Sequence, residues 1–231
     1  MMPLSQTPTS VRKLSGMRGT IAKRMHQSLR EMAQLTLTMD ADMDAVAADR
    51  AAAKAAGVAP GFTDYIVAAA GRALRRHPML NAQVTPDGIA VLPDVHVGLA
   101  VALDEGLVVP VVRNADRTPL DELAVETTRL AEAARTGSLS LADLEGGTFS
   151  VSALGMFGVD AFTPVINPPN VAILGVGRLR DDLVLVDGAI ATRKRLTLSL
   201  TWDHRVVDGA PAAAFCRTIV ELLADPAALR S

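Results

Sequence analysis

From Gly16 onward the apolar residues Met17, Ile21, Met25, Leu29 and Met32 recur every three or four positions, the spacing of one face of a helix. Leu35, Leu37 and Met39 then alternate with Thr36 and Thr38, which predicts a short strand. A helix follows over about 43–56, ended by Gly57. Another opens at Thr63 as N-cap and runs through Ile66, Ala70, Ala73 and Leu74, until Arg75, Arg76 and His77 complement its dipole and Pro78 stops it. Val95, Val97, Leu99 and Val101 alternate with smaller residues, and Asp104-Glu105-Gly106 turns the chain into 107–112, a hairpin pattern. Thr118, with Pro119 at N1 and Asp121 three residues on, opens a long helix with Leu120, Leu123, Thr127, Leu130 and Ala134 facing inward and Gly137 at its end. The last third predicts strands over 148–153, 171–176 and 183–186, a turn at Asp187-Gly188, and a strand over 189–202 with Leu196, Leu198, Leu200 and Trp202 on one face. A helix over 210–224, with Phe215, Ile219, Leu222 and Leu223 inward, closes the chain. Strands outnumber crossover helices in the second half, so the class is α+β with a mixed sheet rather than a doubly wound one.

After a Pro/Ser/Thr-rich stretch over 1–10, read as a disordered tail, no linker or internal repeat interrupts the 231-residue chain, so 11–231 is expected to form a single domain. Hydrophobic residues make up 49% but aromatics only 3%, so Ala, Val, Leu and Ile must build the core. A net charge of −2 gives no global attraction for nucleic acid or an anionic membrane, and no apolar run approaches a membrane span or a signal peptide. The single cysteine, Cys216, excludes an internal disulfide, sits mid-helix beside Phe215 as a small core residue, and fits a cytoplasmic protein. Charge is uneven near the start. Arg12, Lys13, Arg18, Lys23, Arg24 and Arg30 all precede the first acidic residue, Glu31. They form either a solvated helix face or a surface that steers an anionic ligand or meets an acidic neighbouring subunit.

The four histidines are His26, His77, His96 and His204, none at metal-ligand spacing, so no metal is expected. His26 and His77 fit surface helix positions, and His96, among strand valines, fits a structural histidine. His204 follows the last strand. Were the pleat to continue past Trp202, its ring would point with Leu196, Leu198 and Leu200, half sheltered and uncharged, as a general base requires. Spacing alone leaves a buried core histidine, with Asp208 as the cap of the last helix, equally open.

The segment Asp203-His204-Arg205-Val206-Val207-Asp208-Gly209 resembles the His-x-x-x-Asp-Gly signature of the chloramphenicol acetyltransferase-like superfamily. Its Asp-His-Arg form is similar to the acyltransferase component of 2-oxoacid dehydrogenase complexes. Five further segments agree in order: 18–25, Leu80-Asn81-Ala82, 106–111, 147–152 and 167–177. The resemblance covers the chain from about residue 11 to the end, and it implies that fold, with a mixed sheet flanked by helices in one domain.

It also implies catalytic roles. His204 takes the proton from the attacking thiol or hydroxyl, Ser152 hydrogen-bonds the tetrahedral oxyanion, and Asp208 holds the histidine loop through ionic contacts. An ordinary polar strand face, Thr148, Ser150 and Ser152, is the other reading of the serine, and Ala153 stands where family members often carry Asn. Acyl-CoA is the implied substrate, most simply acetyl-CoA, with no metal. The implied assembly is a homotrimer or a multiple of trimers, with His204 of one chain facing Ser152 of the next. The long segment over 155–170 could line the acyl or acceptor channel. Full-length members carry lipoyl domains ahead of the catalytic one, and none precedes it in this sequence. The expectation is therefore a free-standing enzyme that acetylates a hydroxyl of a small-molecule or carrier-bound acceptor in a biosynthetic, tetronate-type pathway. The alternatives are a dihydrolipoamide acyltransferase core and a non-catalytic scaffold.

Overall fold

The structure, a computed structural model, describes residues 9–230 apart from 12, 56, 58, 59, 104 and 105. Most of the expected tail (1–8), Arg12 of the basic run and the turn residues Asp104 and Glu105 therefore lie outside the described residues. In chain order the elements are α1 (Gly16–Glu31), β1 (Gln34–Asp42), α2 (Asp44–Ala55), α3 (Phe62–Arg76), β2 (Ala82–Thr85), β3 (Gly88–Val91), β4 (Val97–Leu99), β5 (Val101–Leu103), β6 (Gly106–Val108) and β7 (Val111–Val112). They continue with α4 (Leu120–Thr136), the short α5 (Leu141–Leu144), β8 (Phe149–Ala153), β9 (Ala172–Val176), β10 (Arg180–Val186), β11 (Ala189–Asp203) and α6 (Gly209–Ala224).

The main sheet runs β1-β11-β9-β8-β4-β7, with β10 pairing the first half of β11. β8 lies parallel to both β4 and β9, and the other pairings are antiparallel, so the sheet is mixed as expected. Its two faces differ because side chains alternate along each strand. On one face the registered row Leu37, Leu200, Leu174 and Val151, with Trp202, Ala172 and Phe149 beside it, joins the core under α3, α4 and α6. α3 is buried along most of its length, which its small residues Ala68, Ala69, Ala70 and Gly71 permit. A Cβ on Gly71 would overlap the Ala115 carbonyl.

The other face is polar: Thr38, Ser199, Gly175 and Ser152 form one row, and Thr36, Thr201, Ile173 and Ser150 the next. The segment over 154–170 covers it. Phe162 lies on Gly175, the Asp160 carbonyl occupies the place a side chain at Gly177 would need, and the Arg178 N–H donates to the Val159 carbonyl at 2.7 Å. Ser28, the one fully buried residue of α1, donates to the Ile166 carbonyl at 2.6 Å.

Three local expectations change. α3 begins one residue before Thr63; the Gly61 N–H donates to the Asp64 carboxylate at 2.7 Å and takes over the capping. Thr118 does not cap α4, since its hydroxyl donates back to the Asn114 carbonyl at 3.0 Å and Pro119 takes the cap position. The stripe on α1 is helical but not internal: Met17 and Leu29 stand exposed, because the helix lies at the margin of the chain rather than over its core. The hairpin pattern is realised as the β5–β6 pair, while β4 and β7 rejoin the main sheet. The β2–β3 hairpin was not among the expected elements.

Candidate active site

His204 follows the last residue of the longest strand, and the structure gives it a rigid turn to stand on. The Val206 and Val207 N–H groups donate to the Asp203 carbonyl at 2.9 and 3.2 Å, and the Trp202 indole N–H donates to the Val207 carbonyl at 2.8 Å. The His204 N–H donates to the Ala33 carbonyl at 2.9 Å, tying the turn to the start of β1. Asp203, wholly buried, accepts from the Ala33 N–H, the Arg205 N–H and the Arg205 guanidinium, the last at 2.6 Å. Burial pushes the Asp203 carboxyl up, but the hydrogen bonds and charge of Arg205 outweigh it and hold the pKa below the ordinary 3.8.

Because folding lowers that pKa, Asp203 contributes stability that is present above the ordinary carboxylate value and lost as pH falls through the lowered one. Asp203→Ala removes these acceptors and leaves the Ala33 and Arg205 N–H groups short of partners. It is expected to cost about 1–3 kcal/mol, read as a lower urea midpoint at pH 7, with the gap from wild type closing in acid.

The turn changes what His204 was expected to do within one chain. The pleat ends at Asp203, so the ring does not continue the Leu196–Leu200 face; its side chain is 39% exposed, 6.0 Å from the Trp202 ring centroid. Asp208 provides the backbone cap of α6, but its side chain is 85% exposed and makes no side-chain cap bond. The His204 Nδ1 lies 3.8 Å from its carboxylate. Within the chain, the Asp203–Arg205 ion pair at 2.6 Å also anchors the histidine loop. Asp203 was in the quoted segment without a role; an acid buried by the strand it ends, with an Arg two residues on, was the signal. Beside the turn, Arg205 shares an open cleft of about 480 Å³ with Gln27, Glu31 and Met32 of α1, Val84 of β2 and Pro168-Pro169.

Ser152 lies on β8, half-buried, opposite Gly175, and its hydroxyl bonds to no described residue. It is not beside His204. Register carries Ser152 through Gly175 to Ser199, and Asp203 lies four residues farther along β11. That is about 13 Å along the strand and about 10 Å across two strand spacings, with His204 one residue farther still. A reacting carbonyl must sit within about 3 Å of both a donor and its attacker. One chain cannot supply both groups to one substrate.

The remaining candidates are structural. His96 Nδ1 accepts from the Asn114 N–H at 3.1 Å. His77 is not a plain surface residue: it ends α3, bonds Thr218 Oγ1 at 2.8 Å and packs edge-on against Phe215, and burial first, then Arg76, lowers its pKa. Cys216 is buried, and burial pushes its thiol up to about 12, which makes it inert. No described helix is long and apolar enough to cross a membrane.

Known proteins agree with this architecture. The chain is 43% identical over 232 residues to the dihydrolipoyllysine-residue acetyltransferase component of the acetoin cleaving system of Bacillus subtilis, a match covering 98% of this chain and 58% of the relative. The crystal structure of the Azotobacter vinelandii dihydrolipoamide acetyltransferase superposes with a TM-score of 0.90 at 34% identity, covering 99% of each chain. The cubic core of the pyruvate dehydrogenase multienzyme complex does so with a TM-score of 0.90 at 35% identity, again over 99% of each. The mixed sheet flanked by helices in one domain is thus the fold of these catalytic cores, as expected. The chain spans a little over half the length of the curated relatives it matches.

The expectation of a biosynthetic O-acetyltransferase is overturned, because these relatives are named for transfer at dihydrolipoyllysine residues. That expectation rested on what precedes the domain in the sequence, which is not informative for a region matching one part of longer proteins. The model of the 2-oxoacid dehydrogenases acyltransferase (catalytic domain) family matches residues 6–230, and the chain belongs to that family.

Proposed function

We propose that this chain is the catalytic core of a dihydrolipoyllysine-residue acyltransferase that moves an acetyl group between coenzyme A and a dihydrolipoyl thiol. His204 Nε2 or Nδ1 accepts the proton of the attacking thiol, and the thiolate adds to the thioester carbonyl. The Ser152 hydroxyl donates to the resulting oxyanion. Collapse breaks the original carbon–sulfur bond, and the departing sulfur takes the proton back from the imidazolium. No enzyme nucleophile is consumed, which suits a site with so few reactive groups. The turn built by Asp203, Arg205 and Trp202 positions the base, and Asp208 stands four residues beyond it.

One observation carries the reading. The Azotobacter vinelandii enzyme is described through the roles of a serine, a histidine and an asparagine in its catalytic mechanism, the first two 52 positions apart and the last two four apart. Ser152 and His204 are 52 positions apart, and His204 and Asp208 four. The in-chain distance between Ser152 and His204 supports a site shared by two chains of a homotrimer or a multiple of trimers, in keeping with likeness to a cubic core. The acceptor is then borne on a protein lysine rather than diffusing freely as an alcohol.

Acetyl-CoA incubated with the protein and dihydrolipoamide should give free CoA and acetyl-dihydrolipoamide at catalytic rates. Turnover confined to alcohol acceptors, with dihydrolipoamide inert, would overturn the proposal.

A further inference from the structure

The segment that covers the polar sheet face is hydrogen-bonded at its two ends and not between them. At the Ser152 end, the Arg178 N–H donates to the Val159 carbonyl, and Phe162 lies on Gly175, the residue paired with Ser152. No backbone group over 160–165 bonds to a described residue. At the His204 end the fastening is a closed ring of three hydrogen bonds. The Ser28 hydroxyl donates to the Ile166 carbonyl at 2.6 Å, the Ile166 N–H donates to Gln34 Oε1 at 3.2 Å, and Gln34 Nε2 donates to Ser28 Oγ at 2.9 Å. Ile166 is wholly buried and belongs to no strand, so its backbone groups need side-chain partners.

Gln34 suits that place by residue type and by position. Side chains alternate along β1, so Gln34 follows Thr38 and Thr36 on the polar face, across from Asp203 of β11. A carboxamide offers an acceptor to the Ile166 N–H and a donor to the Ser28 hydroxyl at once. A carboxylate could not donate and would stand beside Asp203, and an apolar side chain would leave the Ile166 N–H without an acceptor. The preceding residue, Ala33, accepts from the His204 N–H and donates its own N–H to the Asp203 carboxylate. The start of β1 thus seats the base through its backbone and Ile166 through the Gln34 side chain. Two residues beyond Ile166, Pro168-Pro169 line the cleft that also holds Arg205.

We propose that Gln34 is a positioning residue for the acyl transfer. By fixing Ile166 it sets the Pro168-Pro169 wall of the cleft against the histidine turn, and so places the attacking thiol of dihydrolipoamide at His204. The proposal rests on the transfer reading above. Neither His204 nor Ser152 is a member of the hydrogen-bonded ring, so loss of the ring should weaken binding and spare the chemical step. Steady-state kinetics of Gln34→Met, Ser28→Ala and the double variant test it, with acetyl-CoA and dihydrolipoamide varied in turn. Methionine keeps the length of the side chain and removes both hydrogen bonds. The expected result for each single variant is a KM for dihydrolipoamide raised about tenfold, with kcat within about threefold of wild type and the KM for acetyl-CoA unchanged. Both side chains act on the backbone of one residue, so the double variant should be no worse than the worse single variant.

A merely structural role would lower the amount of active enzyme, and hence kcat, while leaving KM where it was. An unchanged KM for dihydrolipoamide in Gln34→Met overturns the proposal. So does a rise confined to acetyl-CoA, or effects that multiply in the double variant. Should Gln34→Met fail to fold, Ser28→Ala is read alone: a raised KM for dihydrolipoamide supports the proposal and an unchanged one overturns it. A wild-type protein that acetylates no dihydrolipoamide sinks the transfer reading and this proposal with it. Wild-type turnover with an unmoved KM in the variants sinks this proposal alone, so the two failures are distinguishable.

Discussion

Replacing His204 with alanine is expected to lower kcat by about 10²–10⁴, the usual worth of a positioned general base, with the assembly and the thermal midpoint close to wild type. The geometry makes this a clean experiment. The ring is partly exposed, and the turn beneath it is held by Asp203, Arg205, Ala33 and the Trp202–Val207 bond, none of which needs the imidazole. Activity and stability should therefore separate. Initial rates with acetyl-CoA and dihydrolipoamide, set beside a melting curve of the same sample, measure both. Near wild-type turnover in the variant would remove His204 as the base.

The second large effect is recovery rather than loss. Ser152→Ala alone should cost about 10²–10³ in kcat, as removal of one oxyanion donor does. Chains carrying Ser152→Ala and chains carrying His204→Ala are then each close to inactive. Co-expressed with different tags and purified through both, they form mixed assemblies in which some boundaries pair an intact Ser152 with an intact His204. In a mixed cyclic trimer retained by both tags, about one site in three regains both groups. A site within one chain predicts no recovery at any mixing ratio, because every chain lacks one of the two groups. Mixed assemblies that stay as inactive as their parents would therefore exclude the shared site while leaving either residue free to be catalytic in some other way.

Much of the fold was legible because single elements announce themselves. The alternation of Leu196, Leu198, Leu200 and Trp202 foretold β11, and Leu120, Leu123, Thr127, Leu130 and Ala134 foretold the buried face of α4. The helix starts were less legible. Thr63 and Thr118 are both good caps by residue type, but Asp64 reaches the Gly61 N–H first, and Pro119 shifts the cap of α4 by one residue. α1 shows a different limit. Its apolar stripe is periodic, and periodicity reports that one face seeks cover without saying whether that cover lies in the same chain.

The candidate site divides in the same way. The residue types and their order along the chain, a serine, then a histidine, then an acid four positions on, are properties of the sequence and carry the family with them. Chemistry that needs one base and one donor can be recognised from such an order because it demands few groups. Only the tertiary structure decided that the pleat ends at Asp203 and turns His204 outward. It also decided that Asp203, through Arg205, anchors the loop, and that Ser152 and His204 stand at opposite ends of one sheet. Local patterns are set by neighbours a few residues apart, whereas these distances follow from strand register between segments far apart in sequence, which no local pattern encodes.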